Sequence, residues 1–123
     1  MKMVPLFFVD DMTAALAFYT GTLDFELADW DTPKDVVVSL FRSDVELMLT
    51  RLPTDQVSQA NAILLVDDAD TLFAHWTGRG LDQSVRVDSP VHCAPLDQTW
   101  GTREFYVSDP AGNTLRIVQR AVS

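Results

Sequence analysis

The sequence predicts an α+β domain of two tandem β-α-β-β-β modules, and three observations predict it. Residues 9–21, "VDDMTAALAFYTG", return as residues 66–78, "VDDADTLFAHWTG", with Val, Asp, Asp, Ala, Thr and Gly in register and Tyr19 returning as Trp76. Each copy joins an apolar run of strand length to a stretch with helical periodicity. Each helical stretch is then followed by strand-rich sequence, so the order of elements repeats as well as the residues.

The opening strands are Leu6 to Val9 and Ile63 to Val66. Asp10–Asp11 and Asp67–Asp68 follow, where carboxylates accept hydrogen bonds from the free N–H groups of a helix start and suit its dipole. Met12, Ala15, Leu16 and Tyr19, like Ala69, Leu72, Phe73 and Trp76, fall on one helical face. Gly21 and Gly78 stand where each helix is expected to stop. In the first half the pattern then gives strands at Phe25 to Trp30, Val36 to Arg42 and Val45 to Thr50, with turns at Pro33–Lys34 and Ser43–Asp44. The polar stretch "RLPTDQVSQ", 51–59, connects the halves. The second half gives strands at Ser84 to Asp88, Arg103 to Ser108 and Thr114 to Arg120, with "DPAGN" turning between the last two. The modules span about 1–51 and 60–123 and are expected to form one domain, 1–123, since neither could bury its sheet alone.

The halves differ in one place. Aligning "VELMLTR" (45–51) with "LRIVQRA" (115–121) leaves the second module longer by the stretch "SPVHCAPLDQTWG" (89–101). A long loop in a compact repeat points to function.

Eighteen acidic against nine basic residues give a net charge of −9, which disfavours nucleic acid and anionic membranes and favours a cationic ligand. Cys93 is the only cysteine, so no internal disulfide can form. The apolar start "MKMVPLFFVDD" ends at Asp10 without a small-residue cleavage site and reads as a strand rather than a signal. No stretch approaches the roughly 20 apolar residues of a spanning helix, so a soluble cytoplasmic protein is expected.

The paired modules, "LAFYTGTLDFEL" early and "WGTREFYVSDPAGNTLRIV" late, resemble the vicinal oxygen chelate superfamily of glyoxalases, bleomycin resistance proteins and dioxygenases. The resemblance is closest to the bleomycin-binding members, which share "VP" in the first strand, Trp-Gly followed by Arg-Glu-Phe, and "DPAGN". It implies curled mixed sheets around a cup. In the superfamily's enzymes the cup holds a divalent metal, on positions that fall here on Val4, Glu46, Asn61 and Arg116. A catalytic metal takes three or more His, carboxylate or thiolate ligands. Only Glu46 qualifies, so the resemblance implies no metal and no cofactor. Glu46 and Arg116, mapped to equivalent positions, are expected to converge as an ion pair.

The resemblance also implies a homodimer with exchanged first strands and a groove between subunits, with Pro5 at the exit of the exchanged strand. Its candidate ligand-binding residues are Trp30, Glu46, Asn61, Trp100, Gly101, Arg103 and Arg116. Trp100 either walls the groove or anchors the loop. Trp30 lies near the hairpin aromatic of the relatives, although Lys34 is nearer the matching position. Side chains alternate along a strand, so either Arg103 or Glu104 faces the cup. Asp29, Asp31 and Asp35 surround Trp30 with charge suited to a cation. His75 reads as a surface group beside the core stripe. His92 and Cys93 are neighbours pointing to opposite sides, which argues against a catalytic pair. Asp109 and Gly112 read as turn residues.

Together these readings point to non-enzymatic binding and sequestration of a small amphipathic, cationic aromatic molecule of the bleomycin type. The alternative is an enzyme of the same superfamily (glyoxalase, thiol transferase or dioxygenase-like), metal-free or with displaced ligands.

Overall fold

A computed structural model describes residues 1–52, 59–82 and 94–120 of the chain. The first module runs β1 (Leu6–Phe8), α1 (Met12–Leu16), a π-helical segment (Ala17–Thr22), β2 (Glu26–Leu27), β3 (Val37–Arg42) and β4 (Val45–Thr50). The second runs β5 (Asn61–Leu65), α2 (Ala69–Gly78), β6 (Leu96–Asp97), β7 (Thr102–Ser108) and β8 (Thr114–Arg120). Each forms a four-stranded mixed sheet, in the orders β1-β4-β3-β2 and β5-β8-β7-β6. In both, the first strand pairs parallel with the last and the other pairs are antiparallel. The α+β class and the repeated topology are therefore those read from the sequence.

The paired aspartates act as expected. Asp11 accepts from Ala14 N at 3.0 Å and Asp68 from Thr71 N at 3.1 Å, each capping its helix. The helix stops differ from expectation. Gly21 lies inside the π-helical segment, where Leu23 N donates to Phe18 O and buries Leu23 fully. After α2 it is Gly80, at φ +102°, that takes the left-handed conformation, two residues past Gly78.

Two compact units result. The first comprises residues 1–60 together with the turn 109–113, and the second comprises 61–108 and 114–123. In the first, Phe7, Val9, Tyr19, Leu23, Val38, Leu40, Leu47 and Leu49 form the core, each fully buried aliphatic or aromatic side chain contributing roughly 1.5–3 kcal/mol. In the second, Phe73 and Trp76 of α2 set their rings edge-on to Phe105 of β7, above Val107, Leu115 and Ile117.

The "DPAGN" turn does more than reverse the chain. Asp109 accepts from the backbone of Ala111 and Asn113, and also from the hydroxyl of fully buried Tyr19 at 2.8 Å. Burial, then the Asp109 charge and this hydrogen bond, push the Tyr19 hydroxyl well above the usual phenol range. Asn113 donates to Phe8 O at 2.9 Å and accepts from Ala60 N at 3.0 Å, fixing the turn to β1 and the connector.

One expected strand is much shorter than read. Phe25 to Trp30 shortens to Glu26–Leu27, because Asp31 N turns back to Ala28 O and releases Trp30 into the hairpin loop. The expected strand Ser84 to Asp88 lies outside the described residues, and the strand paired with β7 is Leu96–Asp97. Among the described residues, no helix is long and apolar enough to cross a membrane.

Candidate functional site

Strand alternation gives each sheet an apolar buried face and a second face of mixed character. The candidate residues divide between the two faces and the two hairpin loops.

On the first sheet the mixed face carries Phe41 of β3 directly opposite Glu46 of β4, with Glu26 of β2 on the other flank of Phe41. Trp30, 71% exposed, sets its ring edge-on to Phe41 at 5.7 Å between centroids. Lys2 reaches back from the N-terminus to donate to Glu46 at 2.6 Å, its ammonium 5.6 Å from the Phe41 ring centroid. An ammonium at that distance from a ring face gains cation–π attraction as well as the ion pair.

On the second sheet the mixed face carries Glu104 of β7, whose side chain is only 2% exposed, as the hub of a hydrogen-bond network. It accepts from Trp100 Nε1 at 2.9 Å, Tyr106 OH at 3.2 Å, Arg116 Nη2 at 2.9 Å, and the Thr102 hydroxyl. Arg116 also stacks on Tyr106, 4.8 Å from the ring centroid. Burial alone would raise the Glu104 carboxyl. The four donors, Thr102 and Arg116 foremost, outweigh it and hold the group below the ordinary glutamate value. Trp100 is thereby tethered through its N–H while the indole remains 63% exposed.

Several sequence-based placements need correction. Arg103 is not on the face of Arg116. It lies on the other side of β7, where Nε and Nη2 grip both oxygens of Asp70 at 2.8 Å and Nη1 reaches Asp97 at 3.1 Å. Glu104, left undecided from the sequence, takes the mixed face. Glu46 and Arg116, expected to pair, have partners within their own units instead, Lys2 and Glu104.

Their equivalence also fails. Leu6 pairs with Met48 and its repeat counterpart Ile63 pairs with Arg116, so Arg116 corresponds to Met48 and Glu46 to Thr114. The slip is of two residues. Such a slip leaves every side chain on its own face, so apolar alternation could not reveal it. Gly101 closes the turn Gln98–Gly101 at φ +96°, donating to Gln98 O at 3.1 Å, a conformation that favours glycine. The first module also has a hydrogen-bonded turn in its β2–β3 connection, Asp35 N donating to Thr32 O at 3.0 Å, and residues 89–93 of the long loop lie outside the described residues. Asn61 opens β5, exposed and beside Thr114, and Pro5 precedes edge strand β1. His92 and Cys93 lie outside the described residues.

The donor set at the metal positions does not fit a divalent ion. Val4 offers no donor atom, Asn61 only an amide, and the fourth position is Thr114 by strand register or Arg116 by sequence alignment. The single carboxylate, Glu46, is engaged by Lys2. Among the described residues, no three His, Cys, Asp or Glu side chains gather closely enough to hold a metal.

The model of the Glyoxalase/Bleomycin resistance protein/Dioxygenase superfamily matches residues 4–117. The chain belongs to this superfamily. Among solved superfamily-like structures, the bleomycin-binding protein of Streptomyces verticillus in complex with copper(II)-bleomycin is 26% identical, with a TM-score of 0.74 over 100% of this chain and 97% of that one. A bleomycin resistance determinant encoded on the transposon Tn5 is 23% identical, with a TM-score of 0.77 over 99% of both chains. A lactoylglutathione lyase from Agrobacterium tumefaciens is 21% identical, with a TM-score of 0.66 over 97% of this chain and 92% of that one. No curated protein matches the sequence. Superfamily membership thus spans binders and enzymes, and the choice between them rests on this chain's own side chains.

Sequence reasoning missed Phe41, Lys2, Tyr106 and the role of Glu104. The signal for Phe41 was present. A two-residue turn at Ser43–Asp44 sets Arg42 against Val45 and hence Phe41 against Glu46.

Proposed function

We propose that this protein binds a flat, cationic aromatic molecule of the bleomycin type and sequesters it without chemistry. The observation that carries the reading is that two indoles, Trp30 and Trp100, are largely exposed yet held in place by sheet residues, Phe41 and Glu104. Rigid exposed aromatics offer contact area at little entropic cost, and ring stacking adds about 0.5–1.5 kcal/mol per pair. The net charge of −9 draws in a cation, and relatives that bind bleomycin share the fold along nearly the whole chain.

The functional unit is a homodimer. Edge strand β1 follows Pro5, and edge strand β5 exposes Ile63 and Leu65, apolar surface suited to a second copy. A reaction that used the superfamily's metal would require ligands at Val4, Glu46, Asn61 and Arg116, and the side chains there are the wrong kind.

The test is titration of the purified protein with bleomycin, followed by mass spectrometry of the ligand. Saturable quenching of tryptophan fluorescence with the ligand mass unchanged is expected. Absence of quenching at millimolar bleomycin removes the antibiotic role, and a changed ligand mass removes the non-enzymatic one.

A further inference from the structure

Resting on that reading, we infer that Glu46, Phe41 and Trp30 form the recognition site for the ligand's cationic group, an ammonium or an amidinium-type cation. Lys2 is that site's internal occupant, which the ligand displaces.

The local chemistry is that of a cation receptor. A carboxylate and an aromatic ring face stand side by side across the β3–β4 pair, and Glu26 adds a second carboxylate on the far flank of the ring. Trp30 walls the ring edge-on. The chain's own ammonium already sits on the pair, 2.6 Å from Glu46 and 5.6 Å from the Phe41 centroid, and so marks where a cation is stabilised.

What makes this occupant displaceable is where it is mounted. Lys2 precedes β1, outside any strand, and its side chain is 55% exposed against 16% for Glu46. Glu46 offers several acceptor positions, and among the described residues its hydrogen-bond donor is Lys2 alone. A flat amidinium can take two of those positions at once while its ring lies beside Trp30, which a lysine cannot do. Binding is then an exchange of one cation for another, so the apparent affinity is reduced by the fraction of time Lys2 is seated.

The test uses benzamidine, a flat aromatic amidinium, in calorimetric titrations of the full chain at low ionic strength. Lys2→Met is expected to bind about three- to ten-fold more tightly than wild type, the range set by an exposed ion pair with a cation–π contact. Arg79→Met, at the end of α2, makes the same charge change elsewhere and is expected to leave affinity unchanged. Adding Glu46→Gln to Lys2→Met is expected to abolish the gain. The inference is overturned if Lys2→Met matches wild type or Arg79→Met, if binding survives Glu46→Gln undiminished, or if millimolar benzamidine binds none of the proteins. Bleomycin quenching alongside an unresponsive benzamidine titration would remove this site and leave the proposed function standing. The reverse would leave a cation site on a protein without the antibiotic role.

Discussion

The two sheets place similar chemistry on their mixed faces and hold it differently. Each sets an aromatic ring opposite a charged residue, Phe41 against Glu46 and Tyr106 against Arg116, and each stacks a cation on that ring. In the second sheet the cation belongs to β8 and the carboxylate is sealed under four donors. In the first the cation arrives on the N-terminal arm and the carboxylate has one described donor. The same residue types thus make a closed structural network in one module and an exchangeable contact in the other. Composition does not separate the two, and the mounting of the cation and the count of donors do.

The largest effect expected from this contrast is on stability. Glu104→Ala leaves the Trp100, Tyr106, Thr102 and Arg116 donors without their shared acceptor, and should cost about 3 kcal/mol in urea unfolding. Glu46→Ala should cost less than about 1 kcal/mol, since it breaks a single pair whose lysine is half exposed. Equal costs would erase the distinction between the networks.

A smaller effect tests the anchor between Tyr19 and the 109–113 turn. Tyr19→Phe removes the donor to Asp109. A loss of about 1–3 kcal/mol is expected, measured by thermal or urea unfolding, and a neutral result would make the bond incidental.

The pH dependence should also separate the sheets. The Glu104 carboxyl is held below its ordinary value of 4.5 when folded, so its contribution is fully present above that value and lost as pH falls through the depressed one. The stability gap between wild type and Glu104→Gln should therefore narrow on acidification below about pH 4.5 and stay flat above it. A gap that widens on acidification would reverse the sign of the shift.

Most of the fold was legible in the sequence, and the particulars show why. The repeat carries strand, cap and helix in both copies, and Val45–Thr50 and Thr114–Arg120 are strands as read. The π-helical segment was not legible, because Gly21 imitates a helix stop and only the burial of Tyr19 and Leu23 extends the coil past it. The site was legible by residue type more than by position. Trp30, Trp100 and Glu46 sit on or beside the mixed faces, whereas Arg103 does not, since strand alternation alone left its side open and Asp70 on α2 claims it. The Glu46–Arg116 equivalence failed because a two-residue shift along a strand keeps the apolar alternation intact, and only the parallel pairing with β1 and β5 fixes the register.

The central claim is tested most directly by the indole N–H resonances in a proton–nitrogen correlation spectrum during bleomycin titration. The chain has three tryptophans, and Trp76, fully buried, serves as an internal control. The account predicts that the Trp30 and Trp100 resonances shift and saturate together while Trp76 stays in place. Bleomycin that binds and leaves Trp30 and Trp100 unmoved would contradict it.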